Sequence, residues 1–409
     1  MNRARPKVVI LGGGFAGLRA LYRLRSLHER VDVILVDPRT TSLARPSLPE
    51  VAFAGKSIEH SRFPLAGPVT RSGATFINES VDRVQVAERR ILFENGDVIS
   101  YDFLLLALGA QKNYEAVDGF RSFGYSLCDD TEAPRLAEAI EKFNGGPIVV
   151  GSAKSVWGTR VDVPQLAAPC EGPVAEIMFM TDHDLRRRGL RERSSIEVFS
   201  PGAIFFEDVG PKVHASVGAL MNKQDIHVTT EKVLSRVGDG EVVFEDGTRW
   251  ESALSIVLPP YTGNAVVKRS EGLGDEQGFV PTDTTMRHLD FDRIYAAGDG
   301  TSLSMPKLGH IAVMQADVAA ASLARDLTGE GTIPQHHPEV FCIANRGGEE
   351  ATLIYSDTLF GGSVDLTLDG PMVHLMKWGF DEYYFHTAGH LPPDLATEGL
   401  EFVLEKLER

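Results

Sequence analysis

Val8-Val9-Ile10-Leu11 is an unbroken apolar run, the pattern of a strand covered on both faces, and it stops at Gly12-Gly13-Gly14-Phe15-Ala16-Gly17. The period then changes. Ala20, Leu21 and Leu24 fall on one face of a helix, and a second apolar run from Val31 to Val36 ends at Asp37. From Phe76 to Ala110 the pattern predicts β structure, with a turn at Asn95-Gly96 and a buried strand running from Tyr101 to Gly109. The same design recurs from Val228 to Pro260, around a turn at Asp246-Gly247, which predicts two related domains in tandem. An alanine-rich stretch from Ile311 to Leu327 predicts a long helix with small residues for close packing. Ala44 to Glu50, spaced by Pro46 and Pro49, reads as a loop over the strand ends. Near the C-terminus Met372, Met376, Phe380 and Tyr383 or Tyr384 share one side of a helix, expected to face a core, the alternative being a greasy lid over an apolar ligand or a lipid surface.

A chain of 409 residues can bury more than one core. The fold class expected is α/β, with two tandem Rossmann-like dinucleotide-binding domains and a small C-terminal domain. Residues 1–120 and 275–335 make the first, 121–274 the second and 336–409 the last. A net charge of −16 argues against a nucleic-acid partner and against attraction to anionic lipid. No apolar run is long enough to span a membrane, and the first strand begins without the apolar core of a cleaved leader. Cys128, Cys170 and Cys342 are too few and too scattered for a disulfide framework, so they are either inert packing residues or chemical ones. His336-His337 has no further ligands at suitable spacing; it reads as solvated loop, and no metal site is expected.

The opening stretch carries the parts of a pyrophosphate-binding turn. Gly12, Gly14 and Gly17, with Phe15 and Ala16 opening the helix, leave backbone N–H groups for the phosphates, and Asp37 accepts from a ribose diol. The second copy departs from this. After Pro147-Ile148-Val149-Val150-Gly151 come Lys154, Val156 and Trp157 where bare backbone is needed, so a nicotinamide dinucleotide is not expected there. The strand Phe291 to Gly300 ends in Gly298-Asp299, an arrangement that two-domain flavoproteins aim at the ribityl chain of FAD. FAD is therefore the expected cofactor, with Pro46, Gly109 and Lys307 beside it and Lys307 at the pyrimidine end.

These residues resemble the sulfide:quinone oxidoreductases, a family of FAD-dependent two-domain flavoproteins. The likeness rests on Ala168-Pro169-Cys170-Glu171-Gly172-Pro173, His337-Pro338-Glu339-Val340-Phe341-Cys342, Pro306-Lys307-Leu308-Gly309-His310 and Lys377-Trp378-Gly379-Phe380, beyond the FAD motifs. It implies a redox pair of Cys170 and Cys342 at the flavin, Glu176 as a proton carrier, and Cys128 in the place of a cysteine that forms a thioether to FAD. Lys377, Phe380 and Gly309 would line a quinone site. Sulfide and a membrane quinone would be the substrates, with peripheral membrane contact; the tail from Leu391 to Arg409 reads by itself as an acidic amphipathic helix, a packing element or the seam of a homo-oligomer rather than a membrane anchor. The acidic residues Asp381 and Glu382 and the acidic tail depart from the family and weigh against membrane docking. Two other flavoenzymes share much of the pattern: the flavoprotein subunit of flavocytochrome c sulfide dehydrogenase and a type II NADH:quinone dehydrogenase. A flavin-binding protein without chemistry is the non-enzymatic alternative.

Overall fold

The computed structural model describes residues 5–303 and 305–391. Lys7–Leu11 is the middle strand of a five-stranded parallel sheet, between Phe103–Leu106 and Asp32–Val36, with Ile294–Ala296 and Thr75–Ile77 at the edges. Val8 to Leu11 have no exposed surface, because helices cover one face and a β-meander the other. Each such side chain contributes about 1.5–3 kcal/mol by leaving water. The edge strand Ile294–Ala296 arrives only after a second parallel sheet has been built. That sheet runs in the order Gly124–Tyr125, Leu254–Leu258, Gly146–Ser152, Ser194–Phe199, His227–Thr229.

Each sheet carries the three-stranded meander that the repeated pattern predicts: Val81–Gln85, Arg90–Phe93 and Val98–Ser100 in one, Leu234–Gly238, Glu241–Phe244 and Arg249–Glu251 in the other. The helix Gly309–Thr328 packs on Phe15–Leu24, where the Arg19 guanidinium grips both oxygens of Asp317 at 2.6 and 2.8 Å. A three-stranded antiparallel sheet, Val340–Gly347, Glu350–Ser356 and Asp365–Gly370, follows, and the helix Pro371–His386 packs on it.

Three local expectations are corrected. Ala44 to Glu50 is no open loop: Arg45–Ser47 makes a 3-10 turn and Leu48–Phe53 an α-helix, with Pro49 in its first turn, where a missing N–H costs nothing. His336 is buried, its Nε2 accepting from the Gln315 side-chain amide at 3.4 Å, and burial pulls its pKa down to about 4. The Pro371–His386 helix is inside out. Its inner face carries Val373, Lys377, Asp381 and Tyr384, while Met372, Leu375, Trp378, Phe380 and Tyr383 are exposed. The expected tail helix from Leu391 to Arg409 lies outside the described residues except for Leu391.

Candidate functional site

A cavity of about 1120 Å³ runs between the two sheets and under the C-terminal helix. Its wall includes Gly12, Gly14, Phe15, Ala16, Asp37, Pro46, Gly109, Gly298, Asp299, Lys307 and Gly309. Cys128, Cys170, Cys342, Glu176, Lys377 and Phe380 line the same space. Of the site residues named from sequence only Gly17 stands off it: a Cβ there would lie 1.8 Å from the Gly12 carbonyl oxygen, so Gly17 serves the packing of helix on strand.

At one end the residues fit a dinucleotide. Asp37 fixes the turn by accepting from the Gly13 N–H at 2.7 Å and the Arg39 N–H at 2.8 Å. No side chain caps the Phe15–Leu24 helix, and a Cβ on Gly14 would meet nothing within 4 Å, so the first-turn N–H groups look into open space. The Gly309–Thr328 helix also starts without a side-chain cap on the cavity wall. Beside its start the buried Lys307 Nζ donates to the Asp299 carbonyl at 2.7 Å and faces the rings of Trp157 and Phe279 at 4.9 and 4.6 Å. Burial brings the Lys307 pKa down to about 7, against the pull of Asp299. Two anion-receptive helix starts on the wall of one cavity, with Gly309 packed close to the Phe15 ring, suit FAD.

At the sulfur end, a Cβ built on Gly172 would lie 3.1 Å from Cys342 Sγ and 3.8 Å from Cys170 Sγ, so both sulfurs crowd the start of the Gly172–Arg187 helix. Cys170 gets there because the second parallel sheet lacks the short turn of the first. After Ser152 the chain makes an excursion from Ala153 to Glu171, pinned by the Trp157 indole donating to the Leu166 carbonyl, before its helix begins. Cys342 arrives on the strand Val340–Gly347, which packs against that helix. Both thiols are free. Burial raises both pKa values. Cys170 goes well above the ordinary range, helped by the Asp208 charge, and Cys342 is pushed up to about 12, helped by Glu176 and opposed by Lys377. Glu176 accepts from the Asn345 N–H at 2.9 Å and from the Lys377 ammonium, which also donates to the Ile343 carbonyl at 3.1 Å.

Cys128 sits farther along the wall. Arg45 Nη1 donates to its carbonyl at 2.7 Å, and burial raises its thiol pKa while Lys112 and Tyr261 pull it down. Sequence reasoning passed over Lys112 and Tyr261, and also a buried acid pair behind Cys170: Glu171, raised to about 8, and Asp208, raised to about 6, both chiefly by burial. Only the Cys170-Glu171 adjacency signalled any of these. Among the described residues no three metal-ligating side chains gather.

The family described as "Pyridine nucleotide-disulphide oxidoreductase" matches residues 6–158. The "Sulfide-quinone reductase" of Aquifex aeolicus is 22% identical over 97% of this chain and 95% of its own length. The mitochondrial "Sulfide:quinone oxidoreductase" of Dictyostelium discoideum is 25% identical over 81% of this chain and 72% of its own. The X-ray structure of the Aquifex aeolicus sulfide:quinone oxidoreductase superposes with a TM-score of 0.87 at 20% identity, covering 97% of this chain and 95% of that one, and carries the fold. Fold and cavity together define an FAD-dependent oxidoreductase. Over nearly its whole length the chain is similar to the sulfide:quinone oxidoreductases, and over residues 6–158 to the pyridine nucleotide-disulphide oxidoreductases.

Proposed function

We propose that the chain oxidises sulfide at Cys170 and Cys342 and passes the electron pair to a quinone. The observation that carries this reading is the approach of two sulfurs, distant in sequence, to one helix start on the wall of the FAD cavity. Hydrosulfide attacks a disulfide or polysulfide bridge between them in line: a new S–S bond forms to one sulfur and the other leaves as thiolate. Cys342 is the thiolate-bearing partner on the flavin side, and Lys377 offsets the charge that Glu176 and burial would otherwise oppose. Bound in the cradle, FAD supplies a ring that takes up an electron pair from one substrate and yields it to another. Lys377, Phe380 and Gly309 line the quinone end, and Phe380 and Tyr383 stand both on the cavity wall and at the surface, which supports entry there.

Anaerobic mixing of the FAD-loaded protein with sulfide, and separately with NADH, tests the reading. Bleaching of flavin absorbance by sulfide and its recovery with a short-chain quinone are expected. Bleaching by NADH alone would replace sulfide as donor. The Ala153–Glu171 excursion supports sulfide, since it replaces the short glycine turn that leads from strand to helix in the first sheet.

Peripheral attachment follows from the inverted C-terminal helix. Among the described residues no helix is long and apolar enough to cross a membrane. Met372, Leu375 and Trp378 are 69%, 53% and 51% exposed, a set that an interface would cover. Leu375→Glu is expected to weaken binding to neutral phosphatidylcholine vesicles by about 10- to 100-fold, the equivalent of roughly 1.5–3 kcal/mol of lost burial. Unchanged co-sedimentation would remove this face from the contact.

For Cys128 we propose a thioether to FAD, supported by its place on the cavity wall beside Tyr261 and Lys112. Acid precipitation is expected to carry the yellow colour into the pellet. Release of all colour to the supernatant would exclude the bond.

A further inference from the structure

The inner face of the Pro371–His386 helix holds two ionisable residues one turn apart, and they differ in their partners. Lys377 is bonded to Glu176 and to the Ile343 carbonyl. Asp381, 4% exposed, has no hydrogen-bond partner at either carboxylate oxygen, yet it lines the cavity next to Phe380. A carboxyl so placed holds its proton readily: burial pushes its pKa up to about 7 even though Lys377 opposes the rise. The charged groups facing it come from three elements: Lys377 on its own helix, Glu176 on the Gly172–Arg187 helix, and Glu50 and Lys56 in and just after Leu48–Phe53. Lys56 Nζ pairs with Glu50 at 3.1 Å and reaches Glu382, whose side chain is 37% exposed, at 3.9 Å. Ionisable groups therefore run in a row from Cys342 through Glu176, Lys377 and Asp381 to the surface at Lys56 and Glu382.

We propose that Asp381 carries the proton that quinone reduction draws from solvent. The inference rests on the quinone reading above and adds the proton route to it. Reduction of a quinone to quinol takes up two electrons and two protons, whereas oxidation of hydrosulfide to cysteine-bound sulfur releases two electrons and one proton. One proton per turnover must come from water. Asp381 as the acid gives its proton to a quinone oxygen: the O–H bond at the carboxyl breaks as the quinol O–H forms. The resulting carboxylate, facing the Lys377 ammonium, is reprotonated from the Lys56–Glu382 end.

The test uses FAD-loaded protein reduced with stoichiometric dithionite, so that its outcome does not depend on sulfide as donor. The reduced protein is mixed with a short-chain quinone or with ferricyanide, which takes electrons without protons, across the neutral pH range. Asp381→Asn is expected to slow oxidation by quinone about 100-fold and to flatten its pH profile, with ferricyanide oxidation unchanged. Asp381→Glu should restore most of the quinone rate. Lys56→Gln, at the exposed end of the row, tests the route without altering the buried position and should slow quinone alone. Infrared spectra without turnover should show an acid carbonyl band that titrates near neutral pH and is missing in D381N. Equal slowing with both oxidants, an unchanged quinone rate, or a band that survives the substitution would overturn the proposal. Loss of quinone oxidation in the unsubstituted protein would instead overturn the quinone reading, and the infrared titration would still report on Asp381.

Discussion

Cys342→Ser is expected to abolish the bleaching of flavin by sulfide, a loss of at least ~1,000-fold, because serine can neither hold a sulfur bridge nor leave from one. The substitution removes little volume at a buried position, so the protein should fold, bind FAD and remain reducible by dithionite. Cys170→Ser should behave alike, since each sulfur needs the other. Bleaching at the ordinary rate in the Cys342 variant would take that residue out of the reaction. A pH effect accompanies this. With its pKa pushed up to about 12, the reduced Cys342 thiol ionises only slightly at neutrality. Its alkylation by iodoacetamide should therefore rise about tenfold per pH unit from neutral pH upward, with no plateau until well into the alkaline range. A plateau near neutral pH would mean that Lys377 outweighs burial.

Gly12→Ala and Gly14→Ala, two residues apart, should fail in different ways. Gly12 has φ +107°, and a Cβ there would lie 2.2 Å from the Ala107 carbonyl oxygen, so alanine adds backbone strain to a clash between neighbouring strands. The combined cost is roughly 2–5 kcal/mol, enough to lower the melting temperature of the FAD-free protein visibly. Gly14 has neither problem in the free protein, as its Cβ meets nothing within 4 Å. Gly14→Ala should leave the melting curve of the FAD-free protein nearly unchanged while the added methyl occupies the space meant for the pyrophosphate. FAD titration should show affinity reduced by tenfold or more, an effect of about 1.4 kcal/mol. Normal FAD affinity in this variant would move the pyrophosphate away from the turn.

What could be read from the sequence follows from how each feature is encoded. Val8 to Leu11 and Phe103 to Leu106 announce themselves because strands covered on both faces leave no room for polar residues, and Leu254 to Leu258 admits only Ser255. The paired meanders were legible from the Asn95-Gly96 and Asp246-Gly247 turns. The glycine turn was legible because its spacing and its Asp37 are local. Cys170 and Cys342 have no local signature; their approach is made by an excursion and a strand contact, and only likeness to a family pointed to them. Asp381 was misread as a surface charge weighing against membrane docking, and it is buried. The error comes from periodicity itself: reading apolar residues as the inner face gives the wrong answer for a helix that exposes Met372, Leu375 and Trp378 while it buries Lys377 and Asp381. His336 and Leu48–Phe53 were missed for simpler reasons. Neighbouring histidines in a polar stretch carry no burial signal, and Pro49 looks like a breaker when it stands in a first turn.

The excursion from Ala153 to Glu171 has a consequence for metabolism. In the first sheet the turn after the central strand leaves a seat for a dinucleotide; in the second, the chain instead runs out from Ala153 to Glu171 before its helix begins, held by the Trp157 indole on the Leu166 carbonyl. On the proposed reading, a small sulfur anion is admitted where abundant cellular carriers such as NADH find no berth. The sulfur centre would then be insulated from the general reductant pool, and its oxidation state would follow the balance between sulfide supply and the oxidised quinone.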